Sequence, residues 1–123
     1  MINDLVKRNE RRRRRSFRVR KQTKGSASKP RLSVFKSNRH ICAQLIDDDK
    51  GFTIASAGTV MKEFQDKKLD RKSKESARQV GIKLAEIAKE KQIQQVVFDR
   101  GFNKYHGLLA EVANGARETG LQF

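Results

Sequence analysis

Arg31-Leu32-Ser33-Val34-Phe35-Lys36 alternates, with Leu32 and Val34 on one face and Ser33 and Phe35 on the other. His40-Ile41-Cys42-Ala43-Gln44-Leu45-Ile46 alternates again, with Ile41, Ala43 and Leu45 sharing a face. A period of two marks a strand that buries one side. Ser37-Asn38-Arg39 between them is a connection of hairpin length, so the two strands are expected to pair antiparallel. Asp48-Asp49-Lys50-Gly51 makes the next turn, where glycine supplies a positive-φ position, and Phe52 to Ala57 makes a third strand.

Downstream the period changes. Ala77, Val80, Gly81, Leu84, Ile87 and Ala88 recur at helical spacing and predict a helix from about Ser73 to Lys91, capped by Ser73 or Asp70. Val96-Val97-Phe98 reads as a short buried strand. Leu109, Val112, Ala113 and Ala116 mark a second helix. Gly120 stops it, and Leu121 suits the apolar contact beyond a glycine cap. The expected order is β-β-β-α-β-α, an α/β domain over residues 31–123 with a mixed sheet and two helices.

This topology sorts the polar residues. A helical crossover makes the fourth strand parallel to the first. The loop from Asp99 to His106 then lies at the same sheet end as Asn38-Arg39-His40. Lys36, Asn38, Arg39, His40, Arg100, Asn103, Lys104, Tyr105 and His106 give that end a basic and polar-aromatic character. The acidic turn Asp47-Asp48-Asp49 is expected at the opposite end, away from Asp99 as well.

Upstream of the domain, residues 1–30 form a basic arm and linker. They hold twelve Lys and Arg against Asp4 and Glu10, and so carry ten of the chain's fifteen net positive charges. Arg11, Arg12, Arg13, Arg14 and Arg15 are consecutive, and Arg18, Arg20 and Lys21 follow. Adjacent like charges repel until a polyanion neutralises them with release of its counterions. The arm therefore points to nucleic acid. Residues 1–24 lack glycine and proline, so a helix is permitted. Charge repulsion and the want of apolar burial oppose it in free solution, and the expectation is a disordered arm that orders on RNA. Gly25-Ser26-Ala27-Ser28-Lys29-Pro30 reads as the linker.

Other classes fit less well. A membrane-binding arm would interleave large apolar residues with its bases, and the arginine run has none. An organellar targeting peptide would be Ser-rich and amphipathic. Cys42 is the one cysteine, so no internal disulfide can form. Lys50-Gly51-Phe52 matches the start of an RNA-recognition-motif signature, but Ile54 and Ala57 stand where stacking aromatics belong. Asp47, Asp48, Asp49, Asp99 and Glu118 raise a metal-dependent nuclease, which needs convergent carboxylates. The expected topology separates them, and His40, His106 and Cys42 lack zinc spacing. No metal, cofactor or catalytic residue is expected. Asp99 is read as a loop-fixing carboxylate and Arg100 as a phosphate ligand.

Val96-Val97-Phe98-Asp99-Arg100-Gly101, Lys104-Tyr105-His106-Gly107, Gly115-Ala116-Arg117-Glu118 and Gly120-Leu121 together resemble the C-terminal signature of bacterial large-subunit ribosomal protein number eighteen. Lys29-Pro30-Arg31-Leu32-Ser33-Val34-Phe35, Asn38-Arg39-His40-Ile41 and Ala43-Gln44 resemble that family's first hairpin. The resemblance implies a ribonuclease-H-like fold without its active site. It implies a cytoplasmic, non-enzymatic protein, monomeric within the ribosome. Its partners would be 5S ribosomal RNA, 23S ribosomal RNA at the central protuberance, and neighbouring proteins such as number five. Arg39, His40, Arg100, Lys104, Tyr105 and His106 would face RNA. Phe102 and Leu108 depart from the family pattern, which has a small residue and often an arginine there. The rivals are a metal-dependent nuclease on the same fold and a nonspecific nucleic-acid architectural protein.

Overall fold

The computed structural model describes residues 2–22, 24–62, 64, 73–101 and 107–123. Its elements are α1 (Ile2–Gln22), β1 (Arg31–Lys36), β2 (Ile41–Asp47), β3 (Phe52–Gly58), α2 (Lys74–Glu90), β4 (Val97–Asp99) and α3 (Leu108–Glu118). After α1 the order is the β-β-β-α-β-α of the sequence. The four strands form one sheet in the order β3-β2-β1-β4. β1 pairs antiparallel with β2, with Val34 opposite Ala43, and β2 pairs antiparallel with β3. β4 lies parallel to β1, with Ser33 opposite Asp99. The sheet is mixed for the reason expected: two hairpins reverse the chain twice, so β3 runs with β1, and one helical crossover carries the chain back to lay β4 in that same direction beside β1.

One sheet face is covered. Leu32, Ile41, Ala43, Leu45 and Ala57 project from it against Val80, Leu84 and Ala88 of α2 and Leu109, Val112 and Ala116 of α3, all buried. The helices cross where Gly81 and Gly115 remove side-chain bulk. A Cβ at Gly81 would stand 2.1 Å from the Val112 carbonyl oxygen, and one at Gly115 would stand 2.2 Å from that of Arg78. The other sheet face is open, and Phe35 on it is 65% exposed. Phe52 opens the edge strand β3 half-exposed, as a strand-edge residue.

Ser73 caps α2: its backbone is extended and its Oγ accepts the Ser76 N–H at 3.1 Å. Both helices of the domain end in the same motif. In α3 the Leu121 N–H reaches the Ala116 carbonyl and the Gly120 N–H that of Arg117, with Gly120 at φ 113°. In α2 the Ile93 N–H reaches Ala88 and the Gln92 N–H reaches Lys89, with Gln92 at φ 61°. Here a glutamine occupies the left-handed position that normally selects glycine. Beyond the caps the C-terminus closes on the sheet: Gln122 bridges Gln95 in parallel, and Phe123 stacks on Phe98 at 5.8 Å. Arg117 lies over the Phe123 ring at 4.4 Å.

Two expectations are corrected. The arm is not a disordered segment in this structure but the 21-residue helix α1. Arg, Lys, Leu and Glu are strong helix formers, and nothing before Gly25 breaks the helix. Asp4 in the first turn and Arg20 and Lys21 in the last complement the helix dipole. Like charges four apart, such as Arg11 with Arg15, cost only a few tenths of a kcal/mol per pair. The second correction concerns the acids. The turn after β2 and Asp99 are not kept apart, because β4 is three residues long and ends level with Ser33. From there the Asp99 carboxylate meets the same guanidinium, that of Arg31, as Asp48 does.

Candidate nucleic-acid interface

Two basic regions leave the sheet from opposite ends. The first is the arm. An α-helix turns each residue by about 100°, so five consecutive arginines point to all sides. Arg11, Arg14, Arg15 and Arg18 recur at helical spacing and together line a shallow concavity of about 320 Å³ on one face. Arg13 instead covers Phe17, its guanidinium 5.4 Å from the ring centroid. Arg12 is half-buried, while Arg11, Arg13, Arg14, Arg15, Arg18, Arg20 and Lys21 are exposed. Such a face matches a row of phosphates, since guanidinium binds phosphate oxygens in a planar fork.

The second region is the hairpin tip. The Ser37 N–H donates to the His40 carbonyl at 2.9 Å, and the His40 N–H donates to Ser37 Oγ at 3.2 Å. This closed turn leaves Asn38 and Arg39 exposed at its tip, beside exposed Lys36. His40 is half-buried, and its Nδ1 lies 2.9 Å from Oγ1 of Thr59, which is fully buried. Thr59 Oγ1 also accepts the Ile41 N–H at 3.1 Å. The end of β3 thus holds the imidazole in place beside the turn.

Arg100 is exposed and follows β4, whose chain exits toward the same sheet end as the hairpin. The two loops are staggered, because Lys36 lies three residues beyond the Ser33–Asp99 pair, about 10 Å along the strand. Asp99 Oδ1 accepts the Gly101 N–H at 2.8 Å and so fixes the start of the loop, the role expected of it. Lys104, Tyr105 and His106 lie outside the described residues, as does Phe102. Leu108 is described, and it packs against the core at the start of α3.

Sequence reasoning missed the centre that joins these parts. Arg31 is only 6% exposed. Its Nε donates to Asp48 Oδ2 at 3.0 Å, its Nη2 to Asp48 Oδ1 at 3.0 Å, and its Nη1 to Asp99 Oδ2 at 2.7 Å. These bonds, chiefly that to Asp48, raise the Arg31 pKa against the opposing effect of burial. The Arg31 hydrogen bond is also the main cause that holds the Asp48 carboxyl below its ordinary value. A cation therefore lies between the two carboxylates and takes up their oxygens. Among the described residues, no group of three or more His, Cys, Asp or Glu side chains could hold a metal ion. Nor is any helix among them long and apolar enough to cross a membrane. No local pattern betrays the ion cluster, because Arg31 meets partners 17 and 68 residues away.

Comparison with known proteins identifies the family. The family model "Ribosomal L18 of archaea, bacteria, mitochondria and chloroplast" matches residues 6–123. The large ribosomal subunit protein uL18 of Protochlamydia amoebophila is 54% identical over 123 residues, the whole of both chains. Those of Chlamydia felis and Chlamydia muridarum are 52% and 50% identical over the same full length. Matched from Val6 to its last residue by the family model, and end to end by these relatives, the chain belongs to the ribosomal L18 family.

Proposed function

We propose that the protein is a structural, non-enzymatic component of the large ribosomal subunit that binds 5S ribosomal RNA and helps attach it to 23S ribosomal RNA at the central protuberance. The observation that carries this reading is the placement of two basic surfaces at opposite ends of one sheet. The hairpin tip and the loop after β4 offer Lys36, Asn38, Arg39, His40 and Arg100 to a folded RNA. Lys104, Tyr105 and His106 continue that loop in the sequence. The arm, about 30 Å long as a helix, carries Arg11 to Arg15, Arg18, Arg20 and Lys21 away from the other end. One small domain can thereby touch two RNA segments at once. Recognition of this kind rests on phosphate positions and RNA shape more than on base edges. The sheet order and the single crossover also support the ribonuclease-H-like reading of the domain, and neighbouring large-subunit proteins such as number five are natural further partners.

The test is a salt titration of binding to 5S RNA and to large-subunit particles lacking this protein. Replacing Arg11 to Arg15 by glutamine should lower the salt slope of particle binding by about four units, five contacts at 0.7–0.9 each. Arg39→Ala and Arg100→Ala should each weaken 5S RNA binding by about 1–3 kcal/mol. Equal affinity for 5S RNA, transfer RNA and duplex DNA would instead favour a nonspecific architectural protein.

A further inference from the structure

We propose that Asp48 is a positioning residue for the basic arm: by holding Gly25 and Arg31 together, it sets the direction in which α1 leaves the domain. The inference rests on the RNA-binding reading for its consequence but not for its geometry. Asp48 Oδ2 accepts the Gly25 N–H at 2.7 Å, and the Asp48 N–H donates to the Gly25 carbonyl at 3.2 Å. The same carboxylate accepts from Nε and Nη2 of Arg31, and Asp99 accepts from Nη1. One side chain in the turn after β2 thus ties together the linker, the first residue of β1 and, through Arg31, the end of β4.

The fit requires glycine at the clamped position. A Cβ on Gly25 would stand 2.3 Å from the Arg31 backbone nitrogen and 2.7 Å from the Ile46 carbonyl oxygen. Gly25 and Pro30 are buried although they belong to the linker. The helix ends at Gln22, only three residues before Gly25. Next to the clamp, Lys24 Nζ meets Asp49 Oδ1 at 3.4 Å, and Phe17, Arg20, Lys21, Lys24 and Asp48 line one shared hollow. The acidic turn is therefore the counter-charged seat of the arm's root. The acidic turn, at the sheet end away from the hairpin tip, thereby takes an indirect part in RNA binding. A clamped root holds the arm's arginines near one bearing before RNA arrives, which reduces the entropy lost on binding.

The test uses the full chain with Cys42→Ser, carrying spin labels at Arg8→Cys on the arm and Glu86→Cys on α2. Dipolar spectroscopy without RNA should give a narrow distance distribution. Asp48→Ala should broaden it, and so should Gly25→Ala, which strikes the clamp from the other side. Dispersed amide signals from Leu32 onward check that the domain is folded. Should either variant fail that check, Asp48→Asn, which preserves volume, carries the measurement. In the unlabelled chain, Asp48→Ala should weaken binding to a 5S RNA transcript about tenfold, the cost of ordering roughly one more backbone residue. The loss should vanish when Arg11 to Arg15 are already glutamine. A distribution that stays narrow in the folded Asp48 variant overturns the proposal. So does an affinity loss of equal size in the arginine-free arm, since the defect would then lie in the domain. If the parent chain does not bind the transcript, the RNA-binding reading fails, while the distance distribution still decides the clamp.

Discussion

α1 and α2 are helices of 21 and 17 residues with opposite means of support. α2 buries Ser76, Ala77, Val80, Gly81, Leu84, Ala85 and Ala88 against the sheet and α3. None of the described side chains of α1 is fully buried, and Leu5, Val6 and Phe17 each remain about half exposed. Packing of an apolar stripe stabilises α2. Backbone propensity and end charges chiefly stabilise α1. The contrast teaches that a helix can be written into a sequence without being written into a fold. α2 belongs to the domain whatever the surroundings, whereas α1 keeps Arg11, Arg14, Arg15 and Arg18 exposed on one face.

The sharpest way to break the comparison is at the joint between the two regions. Arg31→Ala leaves two carboxylates facing each other without their cation and should destabilise the domain by about 3–5 kcal/mol, measured by denaturant unfolding. A loss under about 1 kcal/mol would mean that the ion cluster is not the anchor described here. Next comes the packed helix itself. Leu84→Ala should cost about 2–5 kcal/mol, because the fully buried site cannot collapse around the missing methyl groups.

Smaller effects follow at the helix ends. Ser73→Ala removes the cap of α2 and should cost about 1 kcal/mol. Gln92→Gly relieves the left-handed backbone and should add up to about 1 kcal/mol, an uncommon stabilising change visible as a raised melting temperature. Acid offers a milder probe of the joint. The folded Asp48 carboxyl sits below its ordinary value, so its contribution is fully present above that ordinary value and fades as pH falls through the lowered one. The stability gap between the parent chain and Asp48→Asn should therefore narrow on acidification to about pH 2. The smallest effect belongs to the arm: Leu5→Ala should change domain stability by less than about 0.5 kcal/mol. Amide exchange should agree, with α1 exchanging far faster than α2. Equal protection of the two helices would erase the distinction between them.

Much of this was legible along the chain. β1 begins and ends where the alternation of Leu32 and Val34 places it. Ser73 and Gly120 announced the start of α2 and the end of α3, since caps are chosen by chemistry within one turn. The matching cap at Gln92 was not legible, because a residue without glycine's freedom gives no sign that it will adopt a left-handed backbone. Arm, hairpin tip and Arg100 stand out in the sequence as charge; the arm's helical form does not, because repulsion is conspicuous in a sequence and propensity is not. Lys104, Tyr105 and His106 stand on the sequence alone.

By itself, then, the sequence determined the elements of the domain, their order, the mixed sheet and the concentration of positive charge in the arm. These depend on periodicity, turn chemistry and composition, all of which act over a few residues. Only the tertiary structure decided that Arg31 is buried between Asp48 and Asp99, that Gly25 is held against the turn after β2, and that the arm is rooted at the acidic end of the sheet. Those facts depend on strand register and on a β4 short enough to bring Asp99 back toward the start of β1. A three-residue strand carries no periodic signal of its own, and contacts 17 and 68 residues apart leave no trace in local pattern.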